Sequence, residues 1–265
     1  MTTSALALLL SWPLAPGRRV VMVECDPDGG AVLFGMLQGA LGDQYGLRNL
    51  SVAARRGDLE ETFWRQLIDV TDDGRPDPLQ DRLVLPGLLA PEQAAGMAPA
   101  WEQLAQLCRR IEQDAQQPHD VLLDLGRRGA FGASSVLART ADVLLVVARS
   151  TLRGVRAAQS RLEALRGQFG ELGVLLVEEG PYRAAEVERA LNAPVVAALP
   201  YRPQQAVVLS DGAPQPRQFE RSELMRAGRV AATPVLQRAA MRRTRLAGAP
   251  GPGSVGAWEV SGRAR

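Results

Sequence analysis

Two apolar stretches of this chain run directly into carboxylates. Val21-Met22-Val23-Glu24-Cys25 leads into Asp26-Pro27-Asp28-Gly29-Gly30, and His119-Asp120-Val121-Leu122-Leu123 ends on Asp124. Short apolar runs rich in Val and Leu are the signature of strands covered on both faces. The C-terminal end of such a strand is the side on which open α/β sheets bind ligands, which makes Asp26 and Asp124 candidate contacts. The structural alternative is a turn residue at Asp26 and a helix cap at Asp124, because Asp, Pro and Gly dominate turns. Composition removes other chemistries. All 31 basic residues are Arg, so neither Schiff-base catalysis nor a phosphate-binding lysine is available. His119 is the single histidine; preceding a strand, it reads as a surface residue rather than a general base. Cys25 and Cys108 match no metal spacing and no disulfide framework, and Cys25 reads as buried and inert. No G-x-G-x-x-G follows an expected strand, which disfavours a dinucleotide-binding enzyme.

The elements that must carry these residues alternate regularly. Strands are expected at Arg19 to Cys25, Leu83 to Leu85, Val121 to Leu125, Val143 to Ala148, Val174 to Val177 and Val195 to Leu199. Helical patterns fall at Thr3 to Trp12, Ala31 to Leu41, Asp58 to Ile68, Ala100 to Ala115, Thr151 to Phe169 and Tyr182 to Leu191. Strands separated by helices imply parallel pairing through right-handed crossovers. The fold class is therefore α/β, a doubly wound, mostly parallel sheet flanked by helices. Residues 1–247 are expected to form one such domain, with Asp72 to Pro78 as a polar loop and the Gly- and Pro-rich stretch 248–265 as a disordered tail.

Hydrophobic residues at 46% and charged residues at 23% are ordinary globular values and exclude a disordered or fibrous chain. The apolar runs fall far short of the roughly 20 residues that span a bilayer, and no signal-peptide pattern opens the chain, so a cytoplasmic location is expected. Charge is segregated. Up to Pro214 there are 21 Arg against 26 acids, a net of −5; from Gln215 on there are 10 Arg against 3 acids, a net of +7. A basic C-terminal element suits DNA, an anionic membrane surface or simple solvation. Its pattern between Arg217 and Arg245 is partly helical, and Pro234 interrupts it, which favours a closing helix packed on the sheet over a membrane-binding amphipathic one.

The chain opens inside a helix. Met1-Thr2-Thr3-Ser4, an apolar helical run and a Pro16-Gly17 break precede the first strand, an arrangement that looks like the second half of a phosphate-binding loop unit. With the Glu24-Cys25-Asp26-Pro27-Asp28-Gly29 segment, this resembles the ParA and MinD type of P-loop ATPases. His119 to Asp124 resembles that family's Walker B strand, Ala141 to Val146 its next strand, and Pro194 to Pro200 with Ser210 to Pro214 its closing strand and loop. The resemblance covers residues 1 to about 240. It places Thr2 and Thr3 on the family's two loop threonines and Met1 on its lysine.

The resemblance implies ATP and Mg²⁺ as cofactors. Thr2 would ligate Mg²⁺, Thr3 would hold phosphate through the helix N-terminus, Asp26 would orient the attacking water, Glu24 would stand at a second switch carboxylate of the nucleotide site, and Asp124 would hold Mg²⁺ through water. It also implies a homodimer and a protein partner, in a nucleotide-dependent switch that positions DNA, division-site components or a secretion or pilus machine. The departures are the first strand and Gly-rich loop, both lysines, and Leu125-Gly126-Arg127-Arg128 and Glu178-Glu179 where the family has Thr-Pro-Pro and an adenine-reading Asn. Met1 is accordingly read as an alternative start codon standing for Val, with strand and loop upstream. Genuine degeneration is the alternative, giving a non-hydrolysing scaffold. On either reading, the chain as it stands is expected to bind ATP weakly and to hydrolyse none.

Overall fold

The computed structural model describes residues 1–71 and 81–248. Arg19–Glu24 (β1) lies between Arg82–Leu85 (β3) and His119–Asp124 (β4), parallel to both, and Ile68–Asp69 (β2) adds antiparallel to the outer side of β3. Leu144–Arg149 (β5), Leu172–Glu178 (β6) and Val195–Pro200 (β7) form a second, parallel sheet in that order. The doubly wound α/β arrangement is thus present, divided into two sheets between β4 and β5. Both faces of β1 are covered. Val21 and Val23 pack with Phe63, Trp101 and Leu104 on one side, while Val20 and Met22 pack with Leu6, Leu9 and Met225 on the other. That two-sided burial is why the strand reads as an unbroken apolar run.

Most expected helices are found within a few residues: Thr2–Ser11 (α1), Leu59–Gln66 (α3), Ala98–Gln113 (α4), Leu152–Leu165 (α6) and Ala184–Leu191 (α7). Leu47–Arg56 (α2), Ser135–Thr140 (α5) and Pro203–Ser210 (α8) were not signalled by the pattern. The expected helix at 31–41 is instead a π-helical turn, Val32–Met36, followed by tight turns. Gln38, Gly39 and Gly42 take left-handed φ values of 49°, 71° and 65°, which no α-helix accommodates. The expected polar loop at 72–78 and the tail from 249 onward lie outside the described residues.

The last helix, Glu223–Gly248 (α9), packs on β7 and α1, as a closing helix should, and continues through Pro234. Proline removes the bond to the carbonyl four residues back. That residue, Val230, is 73% exposed, so water can replace the lost donor. The charge segregation is in part internal pairing, through the C-terminal half of α9. Arg243 bridges Glu112 and Asp142 at 2.7 and 2.6 Å, and Arg245 and Arg238 both reach Glu171, at 2.7 and 3.5 Å. These three arginines are therefore matched to acids of the earlier chain. Among the described residues no helix is long and apolar enough to cross a membrane.

His119 is a correction to the sequence reading: it is 1% exposed, not a surface residue. Trp64 of α3 covers it, with ring centroids 5.2 Å apart, and neither ring nitrogen has a partner. Burial, with the nearby Arg19 and Arg18 acting in the same direction and the Asp114 charge against it, lowers its pKa from the usual 6.5. A lowered folded-state pKa means that the unfolded chain binds the extra proton. Stability is then complete above pH 6.5 and falls as pH drops through 6.5 toward the folded value. Thermal melts of wild type and His119→Gln between pH 5 and 8 are expected to show that slope only in wild type.

Candidate functional site

The carboxylates that the sequence singles out meet at the C-terminal edge of β1 and β4, which pair through Glu24 and Asp124. Asp124 is buried; its Oδ1 accepts the Gly126 N–H at 3.1 Å, and its Oδ2 is buried with no partner. Asp26 sits in the turn after β1, where its Oδ1 accepts the Asp28 N–H at 2.9 Å. Its carboxyl packs directly on Gly126, in the turn after β4: a Cβ at Gly126 would overlap all three carboxyl atoms, and Gly126 itself takes φ +57°. Partial burial raises the Asp26 pKa above the usual carboxylate value, opposed by the bond from the Asp28 N–H and reinforced by the Asp124 charge nearby. Asp28 reaches across to Arg128 at 3.5 Å.

Helix α1 is fixed at this edge by its other end. Arg82 of β3 donates to the carbonyls of Leu9 and Trp12 at 2.6 and 2.8 Å, and Trp12 Nε1 donates to Asp120 at 2.9 Å. A cation on the last carbonyls suits the helix dipole. Thr2 and Thr3 then stand in the first turn, half-buried, with no side-chain cap on the helix. Met1 lines the same cavity as Asp124, Gly126 and Arg127.

Glu24 is placed differently. It is 1% exposed, and its carboxyl accepts the N–H groups of Ala31 at 2.5 Å, Gly87 at 2.8 Å and Val32 at 3.3 Å. It ties the loop after β1 to the loop after β3. Burial raises its pKa above the ordinary carboxylate value, opposed by those backbone donors. Sequence reasoning missed both Gly87 and the need for Gly30, where a Cβ would fall 2.9 Å from the Gly87 Cα. The paired glycines of the Asp-Gly-Gly turn were the available signal: Gly29 supplies φ +116° and Gly30 the close approach.

A Mg²⁺–phosphate group fits the residues present in three respects: an unpartnered buried oxygen on Asp124, the Thr2 hydroxyl, and a helix N-terminus open to an anion. Among the described residues no cluster of three or more His, Cys, Asp or Glu could hold a metal alone.

No protein-family profile and no curated protein matches the sequence. Solved structures do match. A ParA family ATPase from Chlorobium tepidum TLS superposes with a TM-score of 0.62 at 14% identity, covering 88% of this chain and 92% of that one. The septum site-determining protein MinD with Mg-ADP from Pyrococcus horikoshii OT3 gives 0.59 at 15% identity, over 91% of each chain. A plasmid partition protein from Borrelia burgdorferi gives 0.57 at 11%, over 89% and 92%. These likenesses show a P-loop-NTPase-like α/β fold. Within it, the chain has the ParA/MinD-type fold.

Proposed function

We propose that this chain is the body of a nucleotide-dependent positioning or partitioning switch of the ParA and MinD kind. The observation that carries the reading is the convergence of Asp26, Asp124 and the first turn of α1 on one edge of the sheet, with an Asp124 oxygen buried and unpartnered. In this reading Thr2 and Asp124 hold Mg²⁺, Asp124 through water, and the first-turn N–H groups with Thr3 hold phosphate. Bound Mg²⁺ offsets phosphate charge. Asp26 orients the attacking water, and Glu24 keeps the turn that carries Asp26 in place. A cytoplasmic setting belongs to the same proposal.

The same edge supports a homodimer or protein partner. The segments after β1, β4, β5, β6 and β7 each present one large apolar side chain, namely Phe34, Phe131, Leu152, Tyr182 and Tyr201, at 37–63% exposure. Arg127, Arg153 and Arg183 stand in the same segments. Apolar side chains gathered on one surface mark interaction sites. Contact with DNA or an anionic membrane falls to Arg217, Arg221, Arg226 and Arg229, which make no ion pair among the described residues.

A non-hydrolysing scaffold is the second reading, favoured by the all-arginine composition and by the engagement of the Asp26 carboxyl with Asp28 and Gly126. Calorimetric titration of this chain with Mg-ATP is expected to give a dissociation constant of about 1 mM or weaker. Micromolar affinity would contradict that expectation. If a version extended by a phosphate-binding loop folds and still binds no nucleotide, the scaffold reading prevails.

A further inference from the structure

The turn after β4 carries two adjacent arginines, and the structure uses them differently. Leu125 to Gly129 closes on itself: the Gly129 N–H donates to the Leu125 carbonyl at 2.8 Å, and the Phe131 N–H donates to the Arg128 carbonyl at 2.9 Å. Gly126 is held from two directions, since its N–H bonds Asp124 and the Asp26 carboxyl packs on it. The segment that carries Arg127 is therefore fixed relative to both acids.

In a turn closed by a bond between residues four apart, successive side chains point about 100° from one another. Arg128 goes toward β1, where it pairs with Asp28 at 3.5 Å. Arg127 goes to the other side of β4. It lines a cavity of about 800 Å³ together with Asp124, Gly126 and Met1. Three further arginines of that cavity are already engaged: Arg242 donates to the Asp142 carbonyl, Arg243 pairs with the Asp142 carboxylate, and Arg139 donates to Ser135. Arg127 is exposed and makes no ion pair and no side-chain hydrogen bond among the described residues, although Asp26, Asp28 and Asp124 stand in its own turn and the neighbouring one.

An unpaired guanidinium on a fixed turn, beside a buried carboxylate oxygen that also lacks a partner, is suited to a ligand carrying both charges. The planar fork of Arg matches phosphate oxygens, and its charge does not titrate. We propose that Arg127 binds the phosphate oxygens of the nucleotide at this edge, while Asp124 serves the Mg²⁺. The inference rests on the reading of this edge as a nucleotide site and adds to it the side chain that supplies positive charge. Arg128, its neighbour, has the different task of tying the turn after β4 to the turn after β1 through Asp28.

The test is a titration of the isotope-labelled chain with Mg-ATP, up to about 10 mM, followed by NMR. The Arg127 Nε–Hε resonance is expected to move with nucleotide concentration. Arg127→Ala should weaken binding about tenfold, because it removes a hydrogen bond between charged groups. Arg127→Lys should weaken it about threefold, since an ammonium keeps the charge and loses the fork. Arg128→Ala and Arg109→Ala, the second also on the cavity wall, should change it by less than about twofold. All these side chains are exposed, so the variants keep the fold. An unmoved Arg127 resonance, or wild-type affinity in Arg127→Ala, overturns the inference and leaves the nucleotide-site reading standing. An equal loss in Arg109→Ala does the same, because it marks a general charge effect. If this chain binds no Mg-ATP, the titrations are run on the chain extended by a phosphate-binding loop, and no binding there overturns the inference and the reading together.

Discussion

Asp26→Ala, made in a chain extended by strand and phosphate-binding loop, is expected to lower ATP hydrolysis by about 10²–10⁴-fold while leaving Mg-ATP affinity nearly unchanged. The reason is the time at which the carboxylate acts. A group that orients the attacking water stabilises the transition state and adds little to ground-state binding. Asp124→Ala in the same chain should behave oppositely, weakening Mg²⁺-dependent nucleotide binding by about 10–100-fold, because a carboxylate in the outer shell of the metal supports the bound state. Steady-state hydrolysis and calorimetric titration, run on both variants, separate these outcomes. The geometry sharpens the comparison, since Asp26 leans on Gly126 and Asp124 bonds the Gly126 N–H. If the two residues were only turn and cap, both variants would lose stability alike and neither would split binding from turnover. That result, or an extended chain that never hydrolyses ATP, would favour the scaffold.

Glu24→Ala is expected to destabilise this chain by about 3 kcal/mol, because it strips the N–H groups of Ala31, Val32 and Gly87 of their acceptor inside a buried loop junction. For a chain of this size that is a fall of about 6–12 °C in melting midpoint. Glu24→Gln keeps one oxygen acceptor and should lose less. The pH dependence supplies a second readout. The Glu24 pKa is raised in the folded state above its usual 4.5, so its protonated form is favoured there. Its contribution is complete below pH 4.5 and is lost as pH rises through the folded value. Melts of wild type should carry that decline, and melts of Glu24→Gln should not. Equal midpoints for wild type and Glu24→Ala would remove the carboxylate from the loop junction.

Much of this molecule is legible in sequence because the signals are local. An unbroken apolar run such as Val20 to Val23 can be buried only between two covered faces, so strands β1, β4, β5, β6 and β7 and the helices between them follow from pattern. Acids at the ends of β1 and β4 fall at the ligand-binding edge by the same logic. The failures are equally physical. The stretch 31–41 has helical hydrophobic spacing, yet the backbone turns left-handed at Gln38 and Gly39 within it and at Gly42 just beyond it, two of the three being glycines free to do so. Single-residue periodicity carries no record of that freedom.

By itself, then, the sequence determined the α/β alternation, the all-arginine chemistry, and the placement of Asp26 and Asp124 at strand ends. Tertiary structure alone decided what those residues touch. Glu24 finds its acceptor role at Gly87, 63 residues away, and Asp26 finds Gly126 on a different turn. His119 is buried because Trp64 covers it, and the basic residues of α9 are spent in part on Glu112, Asp142 and Glu171. The division of the sheet between β4 and β5 belongs to the same class. Each of these depends on which elements become neighbours, and neighbourhood is set by packing the whole core, which spacing along one segment cannot encode.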